Sequence, residues 1–496
     1  MTTRLEKDSL GEMPIPEKAY YGIQTTRATQ NFAVSGHAID ELPVFIGAIA
    51  VIKKAAALAN RDIGVLDDRL AGAICQAADE IIEGRFGDAF PIDIFQGGGS
   101  TSTNMNVNEV IANRANEILT GQKGYDTVHP NTHVNMGQST NDVIPSAMSL
   151  SCHRYITDLL GSLTVLERSL SAKVEEFADA VKVARTCIQD AVPITLGQEF
   201  GGYLAFVRRQ REKLAKARDT CVELPLGATA VGTGLGAFQG YHAAVFQHLA
   251  ELTGLPVCQK QDLFDGLQNA DSYLDVSGAL KSLATGLGKM ARDLRLMSSG
   301  PRSGFNEIGI PAVQPGSSIM PGKINPVMPE LINQICYQVC GNDVAITMAA
   351  EGGELDLNVW EPVIIKCLSE SFRLLTNGIL RFVDYCVDGI TANRAACRDH
   401  AENCLAISTV IAAVFGYDTG TVVAKEAYRT GRTVRDVAIA LELLSPEDAD
   451  ALLNPLMLTD QAQSGAVLAM RKRQLVVVAK EVVLGDAGDG GFPAEG

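Results

Sequence analysis

From Val276 the apolar residues fall at Val276, Leu280, Leu283, Leu287, Met290, Leu294 and Met297, in alternating steps of four and three. That is the a/d period of helices that pack lengthwise. A second run, Ile364, Leu368, Phe372, Leu375, Ile379, Phe382 and Cys386, keeps nearly the same stride. Residues 149–176 and 202–222 also read as helical. Helices of roughly 25 to 30 residues exceed the usual globular length of roughly 8–20. They can bury their stripes only along one another, so the chain predicts a mainly α fold with a long central helical bundle. The seam residues themselves need carry no chemistry.

The flanks differ from this centre. Residues 1–141 mix shorter helices, at about 47–61 and 66–83, with loops rich in Gly, Asn and Thr. Residues 142–392 hold the long helices. Residues 393–496 predict a small helical domain ending in a mobile tail, GDAGDGGFPAEG. A length of 496 residues leaves room for two to four domains. GTGLGA, at Gly232–Ala237, nearly matches a dinucleotide fingerprint, but no strand precedes it and no βαβ unit surrounds it. A loop between bundle helices is the better reading.

A net charge of −16 repels phosphate backbones and makes nucleic acid a poor partner. The eleven cysteines are scattered without a C-x-x-C. Cys336 and Cys340 share a helix face with no His or Cys pair to complete a metal site, so free thiols in a reducing cytoplasm are expected. The charged start, MTTRLEKDSLGE, is unlike a secretory signal. Apolar runs such as Val44–Ile52 and Cys404–Tyr417 are too short to cross a bilayer. Neither a cofactor, a metal nor a membrane is implied.

Four segments are rich in small polar residues beside apolar neighbours. They are QGGGSTSTNMN (Gln96–Asn106), GQSTNDVIP (Gly137–Pro145), ARTCIQD (Ala184–Asp190) and GSSIMPGKINP (Gly316–Pro326). Each alone could be a turn or a capped helix start, and Asn325 before Pro326 reads as an N-cap with proline at N1. Recurring four times, such hydroxyl and amide groups suit a carboxylate or a developing oxyanion.

GSSIMPGKINPVMPE resembles the signature of the fumarase/aspartase superfamily, G-S-S-x-M-P-x-K-x-N, at every specified position. The other three clusters match that family in order and spacing. The similarity runs from TRLEKDSLGE through the mid-chain helices and fades after about Asp450. AYYGIQTTRATQNF, GPRSGFNEI and LNVWEPVI resemble the aspartase branch, the last with Glu361 where fumarases place a lysine. HPNT at His129–Thr132 departs from the HPND of fumarases, which contributes there to a second anion site.

The resemblance implies a three-domain, mainly α fold, and elimination of ammonia from L-aspartate to give fumarate. Ser317 is then the general base, acting as an oxyanion that Lys323 and backbone N–H groups stabilise. Thr101, Ser139, Thr140 and Ser318 hold the carboxylate that becomes an aci-carboxylate. Thr186, Lys323 and Asn325 hold the other carboxylate, and Asn141 the leaving amine. Cys187 stands where other members have His or Gln. An imidazole suits loss of water, so its absence speaks against a hydratase, and the small thiol also leaves open a substituted aspartate or another amine. A fumarate hydratase and a non-catalytic structural member are the remaining alternatives. The resemblance further implies a homotetramer whose active sites are shared between subunits.

Overall fold

The computed structural model describes residues 2–475; the GDAGDGGFPAEG tail lies outside them. In chain order, a hairpin of β1 (Thr3–Asp8) and β2 (Gly11–Pro16) precedes α1 (Ile23–Asn31), α2 (Pro43–Asp62), α3 (Asp68–Ile82) and α4 (Thr101–Thr120). Then come α5 (Thr140–Glu176), a second hairpin of β3 (Val181–Thr186) and β4 (Gln189–Thr195), α6 (Leu196–Thr220) and α7 (Tyr241–Thr253). A single turn, α8 (Asp265–Gln268), leads into α9 (Asp271–Met297), followed by α10 (Val327–Glu351) and α11 (Glu361–Tyr385). Both sequence seams are buried along their whole length, the first on α9 and the second on α11 with Cys386 just past its end. The fold is mainly α, as their period required.

Two compact units emerge from the packing. The first comprises residues up to Leu166, Val207–Ala291 and Glu330–Phe382. In it α2 packs on α3, α4 and α7, through Ile49, Ile52, Ala55, Ala56 and Ala59. Local rules set these helices. Pro43 starts α2, where its missing N–H costs nothing, and Asp67 caps α3 by accepting from Arg69 N and Leu70 N. Helix α1 has no cap of its own. Its leading amides, from Gly22, Ile23, Gln24 and Thr25, donate to the carboxylates of Glu6 on β1 and Glu109 on α4, which fastens the N-terminal segment to α4. By length and composition α2 could cross a membrane, but it is mostly buried in protein and carries Lys53 inside the core.

The second unit comprises Glu167–Phe206, Arg292–Pro329 and the described residues from Val383 on. Its core joins Val183 of β3 to Cys404, Ile407, Val410, Ile411, Val423, Val434, Val437 and Leu452 of the C-terminal helices. The β3–β4 hairpin gave no helical or Asn-Gly signal. It pairs antiparallel to its very end, Thr186 against Gln189, with Cys187 (φ 53°) and Ile188 (φ 63°) both left-handed at the turn. The GTGLGA segment is a run of turns. A Cβ on Gly232 would come within 2.8 Å of the Phe264 ring, so that glycine answers to packing.

Candidate active site

In the first unit, Gly98, Gly99 and Ser100 take φ values of 82°, 59° and 61° in succession. Only the serine meets the steric cost of that region, and it is buried. This turn delivers Thr101 to the first position of α4, exposed, with its hydroxyl donating to Gly98 O at 2.7 Å. Thr101 thus offers lone pairs outward. Gln96 Oε1 closes the turn by accepting from Thr103 N and Oγ1.

The second cluster is built on Asp142. Its Oδ1 accepts from Ser139 N at 2.9 Å, and its Oδ2 accepts from Gly227 N and Thr229 N at 3.0 Å each. Burial raises its carboxyl to about 6, against the pull of those amides and of the Lys53 ammonium, so it is ionised at neutral pH. It fixes the start of α5 and with it Ser139, Thr140 and Asn141. Ser139 Oγ accepts from Asn141 N. Asn141 donates its amide to Ala230 O at 2.7 Å, which leaves its carbonyl oxygen to accept from a cation. Thr140 Oγ1 accepts from Asn104 Nδ2 at 3.1 Å, so its own proton is available to a ligand.

Glu361, the first residue of α11, is buried beside the same turn: a Cβ on Gly99 would sit 3.6 Å from its Oε2, which has no hydrogen-bond partner among the described residues. Burial pushes its carboxyl up to about 8. Glu361 is therefore protonated at neutral pH and adds no negative charge near Thr101.

The other predicted residues lie in the second unit. Ser317 Oγ accepts from Ile319 N at 3.2 Å and Met320 N at 3.0 Å. Lys323 Nζ donates to Asn325 Oδ1 at 2.7 Å, and Asn325 Nδ2 donates to Gly316 O at 2.8 Å. Gly316 N bonds back to Lys323 O, and a Cβ on Gly316 would stand 2.5 Å from that oxygen, so the loop closes only on glycine. Asn325 is not a helix cap: its side chain is committed to the loop, and α10 begins at Val327. Ser318 and Lys323 are exposed, and Ile319 is 84 % exposed at the loop surface.

The same unit holds Thr186 and Cys187 at the tip of the β3–β4 hairpin. Behind them Arg185 Nη1 reaches Glu307 Oε1 at 2.7 Å, Lys182 Nζ reaches Glu307 Oε2 at 3.0 Å and Glu199 Oε2 at 3.1 Å, and the Arg185 guanidinium lies 4.0 Å over the Phe305 ring. Glu307 has no exposed surface. This buried network ties the hairpin to the segment that leads into the serine loop. Sequence reasoning missed it, along with Lys53, Asn104, Asn135 and Asp142. One trace was the run of asparagines, Asn104, Asn106 and Asn108, at alternate positions near the start of α4. Among the described residues no His, Cys, Asp and Glu cluster could hold a metal ion.

Thr101, at the start of α4, and Ser139, Thr140 and Asn141, at the start of α5, belong to one unit, where Asn104 of α4 donates to Thr140. Thr186, Cys187, Ser317, Ser318, Lys323 and Asn325 lie in the other. Among protein families, the one described as "Lyase" matches residues 11–341, and "Fumarase C C-terminus" matches residues 407–460. An aspartate ammonia-lyase of Bacillus subtilis strain 168 is 47% identical over 94% of this chain and 98% of its own length. One from Bacillus sp. is 46% identical over 93% and 98%. Among solved structures, a fumarate lyase:delta crystallin from Brucella melitensis bound to cobalt superposes with a TM-score of 0.90 at 45% identity, covering 92% of this chain and 100% of its own. The chain belongs to the lyase family of the fumarase/aspartase superfamily.

Proposed function

We propose that this chain eliminates ammonia from L-aspartate to give fumarate, with Ser317 as the base. The observation that carries the reading is the pair of backbone amides on Ser317 Oγ. A serine hydroxyl is a poor base unless its oxyanion is stabilised, and two fixed N–H donors supply that without an imidazole. The serine oxyanion takes a proton from the carbon next to one carboxylate. The electron pair passes into that carboxylate and forms a dianionic aci-carboxylate. Its collapse expels the –NH3+ group as neutral ammonia, so no acid is needed. The barrier lies mainly in the dianion, and fixed donors are how a protein lowers it. Ser139, Thr140 and Ser318 serve there, and Thr101 joins them when its hydroxyl turns its proton from Gly98 O to the carboxylate. Thr186, Lys323 and Asn325 hold the other carboxylate. Asn141 accepts from the aminium through its carbonyl oxygen. The aspartate ammonia-lyase relatives support the choice of substrate.

A second reading draws on one feature. Cys187 is an exposed thiol and a weak hydrogen-bond donor, which fits a substituted or bulkier amine better than a bare aminium. Side-by-side ultraviolet assays with L-aspartate, N-methylaspartate and L-malate separate the readings. Fumarate from L-aspartate at the highest kcat/KM supports the first. Turnover of another amine with none of aspartate overturns it.

The working form is a homotetramer with shared sites. The outward face of α10 supports this: Tyr337, Val344 and Met348 are exposed there at heptad spacing, a seam that a partner helix would cover. The enzyme acts in the cytoplasm, where its unpaired thiols stay reduced.

A further inference from the structure

Helix α2 carries a lysine that the chemistry above leaves unused. Lys53 is 0 % exposed, and among the described residues no carboxylate lies within ion-pair distance of it. Its ammonium donates to Asn135 Oδ1 at 2.8 Å and Gln138 Oε1 at 2.9 Å. The charge that faces it is Asp142, whose own oxygens are taken by three backbone amides. Burial draws the ammonium down to about 7, against the pull of the Asp142 charge. For stability alone, an apolar side chain of similar length would serve such a place better.

The hydrogen bonds around Lys53 have a direction. Charged or neutral, the Lys53 amine has at least two N–H donors, and here Asn135 and Gln138 both turn their amide oxygens toward it. Asn135 Nδ2 then donates to Gln138 O at 3.1 Å, and Gln138 Nε2 donates to Val134 O and Met136 O. Because Asn135 presents an oxygen, its neighbours on α4 must present N–H groups: Asn104 Nδ2 at 3.2 Å and Asn108 Nδ2 at 3.1 Å. The remaining proton of Asn104 Nδ2 goes to Thr140 Oγ1 at 3.1 Å. Thr140 therefore receives a hydrogen bond from inside the protein, and its own proton is left for a ligand oxygen. The Oδ1 atoms of Asn104 and Asn108 go unpartnered among the described residues. Optimising each amide alone would not leave them so; the donor at the centre of the chain imposes it.

We infer that Lys53 is a positioning residue that orients Asn135 and Asn104 so that Thr140 acts as a hydrogen-bond donor to the substrate carboxylate. The inference rests on the assignment of Thr140 to that carboxylate. A double-mutant cycle tests both separately, using Lys53→Met and Thr140→Val with the dissociation constant for succinate as readout. Each single change should weaken succinate about tenfold, the scale of one hydrogen bond to a charged group. The double variant should bind no worse than either single one, because both remove the same donor. Losses that multiply, to about a hundredfold for two independent hydrogen bonds, would overturn the inference, as would native affinity in Lys53→Met. A Thr140→Val enzyme with native affinity would instead remove the Thr140 assignment, and the inference with it. Where circular dichroism shows Lys53→Met unfolded, Asn104→Leu breaks the same chain one link further on and enters the same cycle with the same outcomes.

Discussion

At Glu361 the chain places a carboxyl where burial raises it from 4.5 to about 8. Between those values the folded chain holds a proton that the unfolded chain has released. Stability from this group is therefore lost as pH rises through that window, and the penalty is complete above about 8. Glu361→Gln cannot ionise, so its melting midpoint should gain on wild type progressively from about pH 5 to about pH 9. A constant difference would show that Glu361 is ionised throughout. Cys187 makes a second residue-scale test. If aspartate is the substrate, Cys187→Gln should hold or raise kcat/KM on aspartate by restoring a polar partner. Abolished activity, with turnover of N-methylaspartate in wild type, would favour the bulkier amine. The sequence displayed the hydroxyl and amide clusters openly, because a polar run between apolar helices has few structural uses. It hid Lys53, which in VIKKAAALAN looks like half of a solvated lysine pair. Only packing shows that Lys54 reaches Asp79 while Lys53 turns inward. Asn325 misled for the opposite reason: Asn-Pro has a ready local use as a helix start, and the bonds to Gly316 and Lys323 that override it depend on loop closure.

At the scale of elements, long helices were legible because a period of three and four persists over many turns. The β3–β4 hairpin was not, because its turn breaks the usual chemistry. Two-residue hairpin turns with both φ values positive favour Asn-Gly, whereas this one uses Cys187 and Ile188. A β-branched residue at φ 63° stores strain of about 1–2 kcal/mol, held by the pairing of Thr186 with Gln189 and the buried Arg185–Glu307 contact. Ile188→Gly should raise the unfolding free energy by about 1 kcal/mol, read from a denaturant midpoint at unchanged slope. KM should rise at the same time, since the released turn no longer fixes Thr186. No gain in stability would mean the turn is relaxed. Glu307→Gln weakens the anchor that Lys182 and Arg185 share, and about 3 kcal/mol or more of stability should be lost. A loss below about 1 kcal/mol would make the network peripheral.

For the whole molecule, the exposed seam of α10 is the feature the sequence stated least clearly. Its apolar residues share a helix with the buried Ile332, Ile335, Val339 and Ile346, so nothing in the pattern separates an inner face from a face kept for a partner. On the proposal of a homotetramer, Val344→Glu should give smaller species than wild type by light scattering, and activity should fall with it. An active tetramer would place the interface elsewhere. If sites are shared, Ser317→Ala and Thr186→Ala, each inactive alone, should recover partial activity when refolded together, because mixed assemblies contain some sites free of both changes.

Fumarate formation from L-aspartate by wild type and by Ser317→Ala, followed by ultraviolet absorbance alongside succinate binding, tests the central claim most directly. Wild type should produce fumarate. Ser317→Ala should lose nearly all turnover and still bind succinate, because the oxygen it removes takes the proton while other groups hold the carboxylates. If the variant keeps more than about a tenth of kcat, a barrier change under about 1.4 kcal/mol, Ser317 is not the base.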